Sequence, residues 1–276
     1  GSTLRGTASI TNAFGYEYLI ENILTYDKKI NEANKFDITL VQSTNKQLDT
    51  KNTISGSGFS SDLLTYNAIS SALKPNPADR SITPRNLLSY MGRLRYNLLD
   101  RYLFSASARI DGSSVFGVNN KYGFFPAASF AWRANEEAFL KDVDEISNLK
   151  LRLSYGSVGN QAVGPYQSQA LVKAYYMQFG TLDPLVGYLP GSQLWNPDLK
   201  WETSTSTNVG LDFGLLNDRI TGSVEYYVTN TTDLLMNRSL NKSTGYSSQL
   251  VNIGKIQNKG IEISASFVPV KTKDLT

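Results

Sequence analysis

The chain of 276 residues is predicted to be all-β, an antiparallel transmembrane β-barrel segment of about nine long strands. Three observations predict it. Apolar and polar residues alternate with a period of two in run after run, which places the two sets on opposite faces of a strand. The runs are long: roughly 11–13 residues each within 86–112, against ~5–6 for globular strands and ~9–11 for a tilted strand crossing a bilayer. The connections alternate between short turns and long loops, the asymmetry of outer-membrane barrels.

Taken in order, residues 15–30 read as the first strand, with Tyr16, Tyr18, Ile20, Leu24 and Tyr26 on one face. Residues 31–35 are a polar turn and 36–46 the return strand. The tract 48–85 is dense in Ser, Thr, Asn, Gly and Pro and reads as an irregular loop. Within 86–112 two strands meet at a tight turn, Asp100-Arg101. Tyr90, Leu94 and Tyr96 are expected to face lipid, and Arg93, Arg95 and Arg109 the lumen. A short loop, 111–120, leads to a strand over 121–134, where Pro126 implies a local bulge or edge-like pairing. Residues 135–143 resemble a brief helix that Asn135 could cap. The next strand covers 148–158, followed by a long loop, 159–200. Residues 201–215 and 219–230 form a second tight hairpin around Asn217-Asp218. A third long loop, 231–257, precedes the last strand, 260–270.

Composition narrows the function. Neither Cys nor His occurs, so disulfides, thiolate or imidazole catalysis and zinc sites built on those residues are excluded, and no cofactor is expected. A net charge of +3 is too balanced to argue for nucleic acid. No apolar run reaches the ~18 residues of a transmembrane helix. Aromatic residues make up 11% of the chain, with Tyr (16) leading, which suits a membrane–water interface.

Five stretches carry a resemblance to a known family: SYMGRLRYNLLDRYLFSASARIDGSSVFG (89–117), KYGFFPAASFAWRANEEAFLK (121–141), ISNLKLRLSYGSVGNQ (146–161), NPDLKWETSTSTNVGLDFGLLNDRITGSVEYYVTNTTDLL (196–235) and TGYSSQLVNIGKIQNKGIEIS (244–264). The chain resembles the SusC/RagA-type TonB-dependent outer-membrane transporters of Bacteroidota. The resemblance implies a 22-stranded barrel with a plug, beneath a SusD-like surface lipoprotein. Import of glycans or peptides would be driven by the TonB complex through an N-terminal part. Residues 1–276 are then expected to be an incomplete central arc of the barrel domain, with plug, TonB box and remaining strands absent. The expected location is the bacterial outer membrane, in contact with its lipid. The alternative is a structural or adhesive barrel whose external loops bind a surface partner without transport.

Two sets of candidate contact residues follow. Arg93, Arg95, Arg109, Arg133 and Arg152 could line the lumen against substrate or plug; equally, they could pair with carboxylates such as Asp111, Asp212 and Glu225. Tyr175, Tyr176, Tyr188 and Trp195 could stack on sugars or meet the lid protein; equally, they could bury themselves in a self-packed loop lobe. Trp132 and Trp201 are expected at a girdle or rim. The acids Glu136, Glu137, Asp142, Asp144 and Glu145 lie on an expected periplasmic turn and are not read as catalytic.

Overall fold

The alternating runs become strands in a computed structural model that describes residues 6–59, 65–177, 180 and 185–269. The long strands are β1 (Thr7–Asn31), β2 (Asn34–Ser57), β3 (Asp79–Leu98), β4 (Tyr102–Ser113), β5 (Tyr122–Arg133), β6 (Ile146–Asn160), β7 (Glu202–Leu215), β8 (Ile220–Thr232) and β9 (Lys255–Phe267). Each is hydrogen-bonded to the strand before it, so sheet order equals chain order. Among the described residues, no helix is long and apolar enough to cross a membrane.

By contacts the chain divides into two units, and β1, β2 and β3 contribute residues to both. In the larger unit, residues 21–43 and 88–276, the register sorts side chains into rows. One row, Phe104, Phe130, Leu153, Val209, Tyr226 and Ile261, crosses six strands on a single face. Its members are apolar, and Phe104, Leu153, Val209, Tyr226 and Ile261 are exposed. The adjacent row on the opposite face is Ser105, Ser129, Ser154, Asn208, Tyr227 and Gly260. A face this apolar and this open is unfavourable in water and natural against acyl chains. Strands of 12–15 residues, such as β4 and β6, span about 40–50 Å and, tilted by ~45°, cross a ~30 Å hydrocarbon layer.

The smaller unit, Gly1–Ile20 and Thr44–Leu87, holds the remaining portions of β1, β2 and β3. Thr11 and Thr53 hydroxyls bond at 3.1 Å, Asn45 donates to Glu17 at 2.6 Å, and Thr83 donates to the Asp49 carbonyl at 3.3 Å. A two-residue strand, Lys74–Pro75, pairs with Gly56 and Ser57.

Several expectations are corrected here. Residues 48–57 and 79–85 are strand, not loop. Their Thr and Ser residues, read as turn formers, bond across strands, a use that β-branched Thr serves well. The turn after β3 comprises 99–101 with positive φ at Leu99 (59°) and Asp100 (52°), closed by the Arg101 N–H donating to the Leu98 carbonyl at 3.1 Å. The expected helix at 135–143 is only a 3-10 turn, Ala134–Glu136. Asn135 does not cap it; its Oδ1 accepts from the Leu149 N–H at 3.3 Å. Pro126 makes no bulge against β4, where it pairs with Ala108. Pairing with β6 begins one residue later, at Ala127, which is the edge-like alternative. The long loops contain strands of their own: a hairpin of Val172–Met177 with Leu185–Pro190, and a small sheet of Gln193–Leu194, Ser248–Asn252 and Leu235–Ser239. The last expected strand residue, Val270, lies outside the described residues.

Candidate functional site

The polar face carries ion pairs, some across strands and some within one. Arg152 on β6 donates from Nε and Nη2 to the two Asp212 oxygens on β7, at 2.8 and 2.7 Å. It also bonds Glu225 on β8, one strand further on. The register explains the reach: Arg152, Gly210 and Glu225 occupy one row, with the glycine in the middle. A Cβ on Gly210 would come within 3.1 Å of Arg152 Nη2, so the bare position leaves the guanidinium its path. Asn208 donates to the other Glu225 oxygen at 3.1 Å, and Lys150 lies 3.7 Å from Asp212.

The other predicted arginines divide. Arg109 Nε donates to both Asp111 oxygens at 2.8 Å, and Arg95 Nε to those of Asp37 at 2.7 and 3.0 Å. Arg133 meets Glu136 at 3.1 Å and donates to the Asp100 carbonyl at 3.1 Å. Among the described residues Arg93 reaches only Thr39 Oγ1, at 3.4 Å. Thus Asp111, Asp212 and Glu225, expected as partners, do accept from arginines. The arginines of these pairs are a third or more exposed, so the pairs are held more by geometry than by low dielectric.

The loop aromatics do not pack as a core. Tyr175, Tyr188 and Trp195 are 53%, 70% and 46% exposed, which corrects the self-burial alternative for these three. Tyr175 and Tyr188 stand on the hairpin, opposite Gly187 and Ala174. Tyr176 belongs to the same strand, and its side chain lies outside the described residues. The loops nevertheless have a core, made of Val115, Phe116, Val163, Leu199 and Trp201. Trp201, expected at a rim, is buried: its ring lies 4.6 Å from Phe116 and 5.5 Å from Phe125, and its indole N–H donates to the Lys121 carbonyl at 3.1 Å. Alternation marks Trp201 only as the start of a strand, and cannot show that Phe116 and Phe125 pack against its ring.

Asparagines tie those loops together. Asn252 Nδ2 donates to the Lys200 and Asp233 carbonyls at 2.7 and 3.0 Å, while its Oδ1 accepts from the Lys200 N–H at 2.9 Å. Asn119 donates to Asp198 at 2.7 Å, and the Gly117 N–H to the Leu199 carbonyl at 2.9 Å. A Cβ on Gly117 would sit 2.1 Å from the Pro197 carbonyl oxygen, so only glycine permits that approach.

At the opposite end, Glu137 gathers three donors that sequence reasoning missed. The Tyr102 hydroxyl (2.6 Å), the Trp132 indole N–H (3.1 Å) and Arg101 Nη1 (3.2 Å) all point at its carboxylate. The Tyr102 hydroxyl, then the Trp132 indole, hold this carboxyl below the usual range, against the effect of desolvation. Asp100 in the neighbouring turn is lowered in the same sense, chiefly by Lys35 and then Asn97.

Comparison with known proteins extends this geometry. The model of the family described as TonB dependent receptor-like, beta-barrel matches residues 2–270. The TonB-dependent receptor SusC of Bacteroides thetaiotaomicron is 42% identical over 198 residues, covering 70% of this chain and 20% of its own. TonB-dependent receptor P3 of Formosa agariphila is 34% identical across 100% of this chain and 28% of its own. Among solved structures, the RagAB peptide transporter superposes with a TM-score of 0.84 at 25% identity, over 96% of this chain and 29% of that one. The chain therefore spans between a fifth and three tenths of the length of these relatives.

Proposed function

The chain belongs to the TonB-dependent receptor-like β-barrel family of the bacterial outer membrane, and from that premise we propose that it walls part of a channel for energised nutrient import. The observation that carries this reading is the two-faced sheet: an exposed apolar row on one face and arginine–carboxylate pairs on the other, across the same strands. Lipid suits the first face and a polar lumen the second. Residues 1–276 form part of the barrel domain, with plug and TonB-contacting segment supplied elsewhere in the protein. Cargo is a glycan or a peptide, the two classes that the resemblance to SusC/RagA-type transporters implies, and the likeness to the RagAB peptide transporter supports the second.

Within this reading the two candidate sets take different roles. Arg95, Arg109, Arg133 and Arg152 act mainly as wall ties, because each already holds a carboxylate. Tyr175, Tyr188 and Trp195, exposed on the loops, are the contact residues for cargo or for a SusD-like surface lipoprotein, with Tyr176 on the same hairpin. No bond is made or broken; the protein binds and passes its cargo.

Deletion of the encoding gene tests this. Uptake of labelled oligosaccharides or peptides should be lost in the deletion strain and equally lost when TonB is depleted. Unchanged uptake, with loss only of surface adhesion, would establish the adhesive alternative instead.

A further inference from the structure

The turn that follows β5 grips both faces of the sheet. Glu136 meets Arg133 at 3.1 Å on the polar face, where Arg133 shares a row with Lys150 and Asp212. Its neighbour Glu137 reaches the other face. There Tyr102 and Trp132 pair with each other and share a row with Leu151, Leu211, Val224 and Ile263. Leu211, Val224 and Ile263 are exposed, as a lipid-facing row requires. Tyr102 opens β4 and Trp132 nearly closes β5, so both stand at the short-turn end, which faces the periplasm in such barrels. Tyr and Trp at such a position sit at headgroup level, with the ring toward hydrocarbon and the polar tip toward the headgroups. Both tips are taken here, since the Tyr102 hydroxyl and the Trp132 indole N–H donate to Glu137 at 2.6 and 3.1 Å. The Glu137 carboxylate thus stands where headgroup oxygens would accept, and it holds its turn on the lipid side of the wall.

We propose that this turn anchors the barrel to the periplasmic leaflet of the outer membrane, with Phe139 inserted among the phospholipid chains beside the wall. Residues 137–141 make one helical turn, closed by the Lys141 N–H donating to the Glu137 carbonyl at 2.8 Å. At about 100° per residue, Phe139 projects roughly opposite to Glu137, away from the sheet. Its side chain is 68% exposed, so the protein itself does not cover the ring. An apolar ring held open at headgroup level has acyl chains as its nearest apolar neighbours. Asp142, Asp144 and Glu145 follow on the same turn and are costly to bring into hydrocarbon, which limits the insertion to the ring. Glu137 is a positioning residue: it sets the turn against the wall through Tyr102 and Trp132. The inference rests on the outer-membrane location and does not depend on import.

The test uses the full protein folded into phosphatidylcholine liposomes, with a nitroxide attached at Phe139→Cys. Relaxation by oxygen, which concentrates in lipid, is compared with relaxation by a water-soluble nickel chelate. Oxygen should dominate at Phe139, at a depth of about 5–10 Å into the headgroup and acyl boundary. Nickel should dominate for the same label at Asn217→Cys, in the exposed turn after β7. Glu137→Ala should return the Phe139 label to water, and Glu137→Gln, which keeps an acceptor oxygen, should retain most of the insertion. The shift in gel mobility on heating reports whether each variant folds. Three results would overturn the proposal: nickel access at Phe139 equal to that at Asn217, a label shielded from both reagents by a protein cover, or insertion unaffected by Glu137→Ala. A label at Leu94→Cys that reads as lipid in parallel samples places such a failure in the turn and not in the barrel reading.

Discussion

Replacing Arg152 with Met should destabilise the barrel more than removing the whole charged cluster. In the native wall, Arg152 makes two bonds to Asp212 at 2.8 and 2.7 Å and a third to Glu225. Buried charge-assisted hydrogen bonds contribute ~1.5–3 kcal/mol each. The Arg152, Asp212 and Glu225 side chains are 32%, 24% and 25% exposed, so solvent screening reduces that value considerably. Arg152→Met would then leave two carboxylates with only Lys150, 3.7 Å from Asp212, and Asn208 to offset them. The expected loss is about 2–3 kcal/mol, or roughly 30- to 150-fold in the folding equilibrium. The triple variant Arg152→Met, Asp212→Asn, Glu225→Gln has no orphaned charge and should lose only about 1 kcal/mol. Urea unfolding of the full protein refolded into liposomes, followed by the gel shift of the folded barrel, measures both. If the single variant stays within about 0.5 kcal/mol of wild type, the bonds contribute little. If the triple variant is as unstable as the single one, orphaned charge is not the cause.

Three further outcomes are expected. Leu94→Arg puts a cation on the apolar face and should cost ~2–4 kcal/mol at mid-bilayer, while Arg95→Leu, losing a half-exposed pair with Asp37, should cost about 1 kcal/mol; equal folding yields in liposomes would contradict the facing. Trp201→Ala removes the ring between Phe116 and Phe125 and should cost the loop lobe about 3–5 kcal/mol. Proteolysis within 161–201 and 233–254 should accelerate while the heat-shifted barrel band persists, and an unchanged cleavage pattern would refute that core. The depressed Glu137 carboxyl sets a pH dependence. Its stabilisation is full above the unfolded value of ~4.3 and is lost as pH falls through the lower folded value. Amide exchange across 134–145, corrected for intrinsic rate, should therefore stay slow down to about pH 5 and quicken below it; Glu137→Gln should abolish that step, and a step that survives the substitution would assign it to another group.

The alternation in the sequence determined much about this protein. It specified nine strands, their chain-order pairing, and which residues share a face, because side-chain period along a strand is a local property. It also pointed to Asp111, Asp212 and Glu225 as partners for arginines, since opposite charges on one face meet along a strand, as Arg109 and Asp111 do, or across neighbouring strands, as Arg152 does with Asp212 and Glu225. Strand ends were less legible. Thr- and Ser-rich residues 48–57 look like loop until a neighbouring strand supplies their bonds.

What only the tertiary structure decided rests on contacts distant along the chain. Trp201 is buried with Phe116 and Phe125, both distant along the chain, packed against its ring, and no local period encodes such a contact. Glu137 draws Tyr102 from a separate strand, 35 residues away. Tyr175 and Tyr188 stay exposed because, among the described residues, the strands of their hairpin pair only with each other. Arg93 and Arg95 have the same side chain and the same parity, yet among the described residues Arg95 meets a carboxylate and Arg93 only a hydroxyl. The difference lies in the adjacent strand, which sets Asp37 within reach of Arg95 and Thr39 within reach of Arg93.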